Sequence, residues 1–403
     1  MAPLRTNYPL TLTIFCKVVD NFGDIGICWR LARQLQHECG VQVTLWVDDL
    51  LSFQRICPDV RIDLEHQNIH GVAIRYWNTQ EVVCTTDDIS DVTIEFFACD
   101  IPPSYIDAMT QCEPRPVWLN LEGLTAEDWV EGCHTLPSPH PRLPLTKHFF
   151  FPGFTDKTGG LLHESSLVAQ RQAFQSDLLA QQNFLTSLSL TATEQLALKV
   201  SLFCYAQSPA SALFDVWRQS DTAITCLVPE GVAAQAVQDF FANGSGESIK
   251  AGAVCTRGAL TLRVLPFIAQ PEYDKLLWAC DLNFVRGEDS FVRAQWANKP
   301  FIWHIYPQDE NLHHKKLRAF LQRYAQHDDP LSRFSLAWND ALSASGCTEE
   351  DWSALWMQLV GATPEITENT VLWQQKMLKN GDLATNLLRF TEMLRLEIQK
   401  KSV

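Results

Sequence analysis

Two stretches of this chain each alternate strand-like and helix-like sequence, and that repeated rhythm limits the fold more than any other feature. Residues 11–19 form an apolar, β-branched run, and 41–47 (VQVTLWV) alternate as a half-buried strand does. Between them Ile27, Cys28, Leu31, Ala32 and Leu35 recur at helical spacing. Runs at 92–97 and 117–121 read as further strands. The alternation restarts later, with strands expected at 199–205, 223–228, 260–267 and 282–285 and helices at 210–219, 233–241 and 272–279. Strands that alternate with helices specify largely parallel sheets covered on both faces, so the fold class is α/β, doubly wound, twice over.

The two halves meet in residues 135–160, TLPSPHPRLPLTKHFFFPGFTDKTGG, a stretch dense in proline, then aromatic residues, then glycine. A helix is expected over 163–182. The end of the chain, 371–400, carries Trp373, Met377, Leu383, Leu387, Leu388, Phe390, Met393 and Leu394 near helical periods. This divides the chain into a Rossmann-like domain at 1–160, a second at 161–365, and C-terminal helices at 366–403 that pack back toward the first domain. A cleft between two such domains is the usual place for a ligand.

Composition removes several function classes. A formal charge of −15, from 32 Lys and Arg against 47 Asp and Glu, argues against nucleic acid as a partner. The thirteen cysteines include no C-x-x-C pair and mostly sit in apolar runs, which describes buried reduced thiols. No H-E-x-x-H occurs either, and no metal is expected. No apolar run reaches bilayer length, and the opening MAPLRTNYPL lacks a signal-peptide core, so no membrane association and a cytoplasmic location are expected.

The first strand runs into Asp20-Asn21-Phe22-Gly23-Asp24-Ile25-Gly26, where an α/β sheet presents its ligands. Asp24 could cap the next helix, Asp20 could form an Asx turn, and the glycines could supply positive φ. That reading leaves one carboxylate more than a cap needs. A dinucleotide fingerprint is incomplete here, since Gly23-x-x-Gly26 is all that stands for G-x-G-x-x-G, although Asp48 could hold a ribose. Asp24 at the helix mouth would repel a pyrophosphate, so it suits a base aimed at an acceptor better than a phosphate cradle.

A second constellation lies at 283–311, NFVRGEDSFVRAQWANKPFIWHIYPQDEN. An apolar strand end runs into Arg286-Gly287-Glu288-Asp289-Ser290 and then a helical segment. Gly287 permits a sharp turn, the helix start favours an anion, and Arg286 adds a charge-assisted contact. Acidic residues are also welcome in any first turn, and a lone Ser290 is an ordinary cap. Together these groups are what a nucleotide-sugar site requires: donors for a diphosphate and a carboxylate for hydroxyls. His304 reads as a structural histidine.

NFGDIG with the following WRLAR, and RGEDSFVRAQ with KPF-x-WHIYPQDEN, closely resemble the protein-arginine rhamnosyltransferases that modify bacterial translation elongation factor P, the EarP family. The resemblance covers 16–57, 91–120, 149–160 and 262–311, and thins over 161–200 and after 317. It implies a GT-B fold, with the acceptor and catalytic base on the first domain and the nucleotide sugar on the second. It implies dTDP-β-L-rhamnose as donor, no cofactor, and inverting transfer to an arginine of elongation factor P, which readies that factor to rescue ribosomes stalled at polyproline. By motif, Asp24 becomes the general base and Glu288 the second essential acid, with Asp20 beside them. Asn21, Phe22 and Gly23 line donor and acceptor, while Arg286, Gly287, Asp289 and Ser290 hold the diphosphate and nearby hydroxyls. PFIAQ places Phe267 and Gln270 on the thymine. Tyr205 is carried over although Cys204 stands where the family has glycine. Two further readings stay open on sequence: a GT-B enzyme with another nucleotide sugar or acceptor, and a non-catalytic protein that binds elongation factor P.

Overall fold

The structure is a computed structural model that describes residues 9–20, 22–78, 82–241, 248–325, 329–340 and 349–401. The chain divides into two compact units, Met1–Ser165 with Met377–Val403, and Ser166–Lys376.

Unit 1 contains β1 (Thr11–Cys16), α1 (Gly23–His37), β2 (Gln42–Val47), α2 (Leu50–Ile56), β3 (His66–Ile69), β4 (Val72–Tyr76), β5 (Val92–Phe96), α3 (Pro103–Gln111), β6 (Val117–Leu121), α4 (Val130–Cys133), β7 (Pro137–Pro139) and β8 (Thr146–Phe150). Its eight strands lie in the order β3-β4-β2-β1-β5-β6-β8-β7. All neighbours are parallel except the edge pairs β3/β4 and β7/β8. The central strands are buried along most of their length, as strands covered on both faces must be. Phe15, Trp46, Trp77, Tyr105, Met109 and Trp118 form an aromatic core on this sheet. Within the sheet, the buried Glu95 accepts from Lys147 at 2.7 Å and from the Trp118 indole at 3.1 Å, so its charge is paired and bonded.

Unit 2 contains α5 (Leu167–Ser176), α6 (Leu178–Ser187), α7 (Ala192–Leu196), β9 (Leu198–Leu202), α8 (Ala210–Arg218), β10 (Ile224–Pro229), α9 (Ala234–Phe241), β11 (Val254–Arg257), β12 (Leu260–Leu265), α10 (Gln270–Ala279), β13 (Leu282–Arg286), α11 (Asp289–Trp296), β14 (Phe301–His304), α12 (Leu312–Tyr324), α13 (Pro330–Trp338), α14 (Glu349–Gly361) and most of α15 (Thr363–Lys379). The sheet order is β11-β12-β10-β9-β13-β14, parallel but for the β11/β12 edge.

The first strand of each unit holds a special position. β1 lies between β2 and β5, and β9 lies between β10 and β13. Winding therefore reverses at these two strands, and ligands of doubly wound sheets bind beyond their carboxyl ends. The two sequence constellations flank these points, NFGDIG following β1 itself and RGEDS following β13, the neighbour of β9.

After α15 the chain returns to unit 1 as α16 (Leu383–Lys401). The Leu383 N–H donates to the Leu161 carbonyl at 3.1 Å, and the Asn386 amide donates to Gly159 O at 3.1 Å. Leu383, Ala384, Leu387 and Leu394 are buried, and Arg395 reaches Asp91 at 3.2 Å.

Three local differences from the sequence expectations have simple causes. The first strand stops at Cys16, and 17–20 belongs to the loop. The helix expected over 163–182 is two helices, because Asp177 is extended and caps α6 through the Ala180 N–H at 3.0 Å. The helical tail likewise breaks between α15 and α16, where Gly381 has φ +77° and Asp382 accepts from the Thr385 N–H. The short edge strands β3, β7 and β11 carry polar or proline-rich sequence and gave no periodic signal. Among the described residues no helix is long and apolar enough to cross a membrane.

Candidate active site

In unit 1, α1 is buried along nearly its whole length at Ile25, Ile27, Cys28, Leu31, Ala32 and Leu35, which fixes its first turn against the sheet. Its N-cap is Phe22, whose side chain makes no capping bond. Asp24 is therefore not a cap: it sits inside the first turn, where a carboxylate favours the helix dipole. It reaches backward, and its Oδ2 accepts from the backbone N–H groups of Val19 at 2.7 Å and Asp20 at 2.8 Å. Neither Gly23 nor Gly26 has positive φ. Space around Gly23 is tight instead: a Cβ there would stand 3.0 Å from the Asp20 carboxylate, which would have to shift to admit it.

Asp48, at the carboxyl end of β2, accepts from the Val18 N–H at 2.8 Å. Three successive N–H groups, at Val18, Val19 and Asp20, are thus held by two carboxylates. Burial raises the Asp24 carboxyl above the usual carboxylate range; the two backbone bonds oppose that shift, and Asp20 and Asp48 add to it. Asp24 is 4% exposed and Asp20 is half-buried. This is a carboxylate made more basic than usual, at the switch point, beside two others. Asp48 was not singled out as a catalytic-site residue from sequence. Its signal was positional, the last acid of the neighbouring strand. Phe22 and Gly23 lie in the same turn, and Asn21 lies outside the described residues.

In unit 2, Gly287 has φ +61°, the left-handed conformation that lets the chain turn sharply out of β13 into α11. Glu288 is the N-cap of α11 and makes no side-chain capping bond. Ser290 closes the turn: its hydroxyl accepts from the Arg286 N–H at 3.1 Å and donates to the Arg286 carbonyl. Its one proton is engaged there. Arg286 lies over the rings of Phe203, at 4.4 Å, and Tyr205, at 4.8 Å, and donates to Cys204 O at 3.1 Å. The turn after β9 and the turn after β13 are joined through this guanidinium.

Tyr205 is buried, and its N–H donates to Nδ1 of His304 at 3.2 Å. Burial, with Arg286 and His313 adding to it, holds His304 down to about 3. The ring is neutral with its proton on Nε2, a structural histidine. Gln270 opens α10 and donates to Asp289 Oδ2 at 3.2 Å, which brings PFIAQ to RGEDS. That meeting is fixed from below by a buried two-bond ion pair between α11 and α10, Arg293 to Asp274 at 3.0 and 2.6 Å. Phe267 is half-buried in the loop before α10. The Trp303 indole donates to Gly287 O at 2.7 Å and so supports the turn from β14. The structure thus gathers Asp20, Phe22, Gly23 and Asp24 on one unit, and Tyr205, Gln270, Arg286, Gly287, Glu288, Asp289 and Ser290 on the other.

Two doubly wound units, each with polar residues at its switch point, are the two halves of the GT-B fold. The solved structure of the spinosyn rhamnosyltransferase SpnG shares that fold, with a TM-score of 0.50 and 10% identity over 95% of this chain and 100% of that one. A sequence profile of the family described as Elongation-Factor P (EF-P) rhamnosyltransferase EarP matches residues 12–392. The protein-arginine rhamnosyltransferase of Pseudomonas putida is 45% identical over 94% of this chain and 98% of that protein. A structure reported as the structural basis for EarP-mediated arginine glycosylation of translation elongation factor EF-P superposes with a TM-score of 0.64, at 34% identity over 94% of this chain and 98% of that one. The chain belongs to the EarP family, the protein-arginine rhamnosyltransferases.

Proposed function

We propose that the chain moves L-rhamnose from dTDP-β-L-rhamnose to an arginine side chain of translation elongation factor P, with inversion, in the cytoplasm and without a metal ion. The observation that carries the chemistry is the buried Asp24 carboxylate at the end of β1, anchored by two N–H groups through one oxygen. The family relationship supports the donor sugar and the acceptor. In this reading the modified factor is the one that relieves ribosomes stalled at polyproline.

Arginine is a reluctant nucleophile. Stripping its proton at neutral pH spans at least about five pKa units, roughly 7 kcal/mol. Asp24 cannot hold that proton in advance. It orients the guanidinium and accepts the proton at its other oxygen as the new C–N bond forms and the C–O bond to the diphosphate breaks. Its raised pKa narrows the mismatch with the acceptor. Asp20 and Glu288 favour the cation-like sugar carbon electrostatically. Arg286 and the N–H groups at the start of α11 take up the charge of the departing dTDP. Phe267 and Gln270 face the base, and Tyr205, Gly287, Asp289 and Ser290 shape the diphosphate turn.

The test is a mass measurement. Purified chain, elongation factor P and dTDP-β-L-rhamnose should yield the factor with one added rhamnosyl group, linked α because a β donor is inverted. Asp24→Asn should bind dTDP and give no product. Near-normal transfer by that variant would remove Asp24 from the role of base.

A further inference from the structure

At the opposite edge of the unit 1 sheet from Asp24, three side chains of different donor chemistry meet. α2 runs back from the carboxyl end of β2 to the amino end of β4, and there the Cys57 sulfur, an Asp59 oxygen and a His70 nitrogen all lie within 4.8 Å of one another. We propose that Cys57, Asp59 and His70 form a binding site for one zinc-class divalent metal ion, with water completing the coordination, and that the ion fastens α2 to the β3–β4 hairpin.

The backbone builds the site before any metal arrives. Cys57 closes α2, its N–H donating to Phe53 O at 2.9 Å, and the Val60 N–H returns to the Cys57 carbonyl at 3.0 Å. Cys57 and Asp59 are therefore fixed on one tight turn across Pro58. Burial raises the Cys57 thiol above its ordinary value, and the N–H groups of Asp59 and Val60 only oppose that shift, so a metal ion would have to displace the thiol proton. His70 occupies the tip of the hairpin with φ +49°, followed by Gly71 with φ +81°. Two positive φ values make this a turn that favours Asn-Gly, yet histidine stands first. Its Nε2 lies 3.0 Å from Asp59 Oδ2.

A histidine–aspartate surface pair would account for two of these residues. It leaves out the third donor, the buried Cys57 sulfur, which lies within the same 4.8 Å as the other two. Zinc takes sulfur at ~2.3 Å and nitrogen or oxygen at ~2.0–2.2 Å in a tetrahedron, which needs donor atoms roughly 3–4 Å apart. The His70–Asp59 pair is already at 3.0 Å, and the three donors lie within 4.8 Å, so binding would require the exposed Asp59 and His70 side chains to draw in toward the sulfur. One sulfur, one nitrogen and one oxygen suit a borderline ion and disfavour calcium and magnesium, which want oxygen alone. Thiolate and carboxylate together neutralise the ion. Among the described residues no hydrogen bond or ion pair joins Cys57, Asp59 or His70 to residues 22–26, so the metal would support the fold and take no part in transfer.

The test uses full-length protein stripped with a chelator, then titrated with Zn²⁺ by calorimetry and with Co²⁺ by absorption. We expect one equivalent, a thiolate-to-cobalt charge-transfer band, and a higher Tm with Zn²⁺. Cys57→Ser should remove the band. His70→Ala, at an exposed position, should weaken binding by about 100-fold or more, since even losing a partner of a ligand costs ~10–100-fold. The same variant should transfer rhamnose at the wild-type rate. A missing band, a band that survives Cys57→Ser, or an affinity unchanged in His70→Ala would each overturn the site.

Discussion

Asp24 joins two roles that stability and catalysis value differently. Burial raises its pKa above that of an unfolded aspartate, so this group favours the fold where the carboxyl is neutral, below ~4. That contribution is lost as pH rises through the raised value, and at neutral pH the buried charge opposes folding. Asp24→Asn should therefore leave Tm at pH 7 equal or higher while transfer falls to background. Thermal scans beside rate assays check both halves, and a large drop in Tm would make the residue structural. The acid limb of kcat/KM should also lie above the ordinary carboxylate range, and Asp48→Asn should lower it by removing one neighbouring negative charge. The paired acids were visible in NFGDIG because one cap cannot use two carboxylates. Asp48 was missed as a catalytic-site residue because its partner, the Val18 N–H, is a backbone group with no sequence signature.

Elements carry these residues into place, and here the sequence was legible unevenly. α8, α9 and the inner strands followed from periodicity, because burial on both faces demands continuous apolar runs. The breaks at Asp177 and Gly381 were not, since one capping side chain or one positive φ decides them. The meeting of α10 and α11 was legible only as two motifs, with nothing to announce the Arg293–Asp274 pair between them. Removing one partner leaves a buried charge uncompensated, so Arg293→Met should cost about 3–5 kcal/mol in urea unfolding and weaken dTDP binding. A smaller loss with unchanged binding would mean that α10 is held by packing alone. His304 makes a second element-scale expectation. An unfolded histidine protonates near ~6.5, and the folded ring near about 3. Its contribution to stability is full above ~6.5 and is lost as pH falls toward about 3. His304→Gln keeps an acceptor near the Tyr205 N–H without the titration, so the fall in urea midpoint over that window should be shallower than in wild type. Equal slopes would place the acid sensitivity elsewhere.

Across the whole molecule, the division of labour follows the chain only in part. Unit 2 is continuous from Ser166 to Lys376, whereas unit 1 is assembled from both ends. Ending the chain at Lys376 should therefore abolish transfer through unit 1 while calorimetry still detects dTDP bound to unit 2. Lost nucleotide binding would show that unit 2 also needs the tail. The Rossmann rhythm of both halves could be read directly, because it repeats over many residues. That the last helix serves the first unit rests on a few long-range bonds, such as Leu383 to Leu161 and Arg395 to Asp91, which no local pattern encodes. The arrangement has a consequence during synthesis. A nascent chain leaves the ribosome with most of unit 1 already made, but α16, which packs on it at Phe150 and Asp91, follows only after unit 2. Until release, the growing polypeptide carries an uncovered apolar seam, so premature termination yields a product open to proteolysis rather than a half-working enzyme.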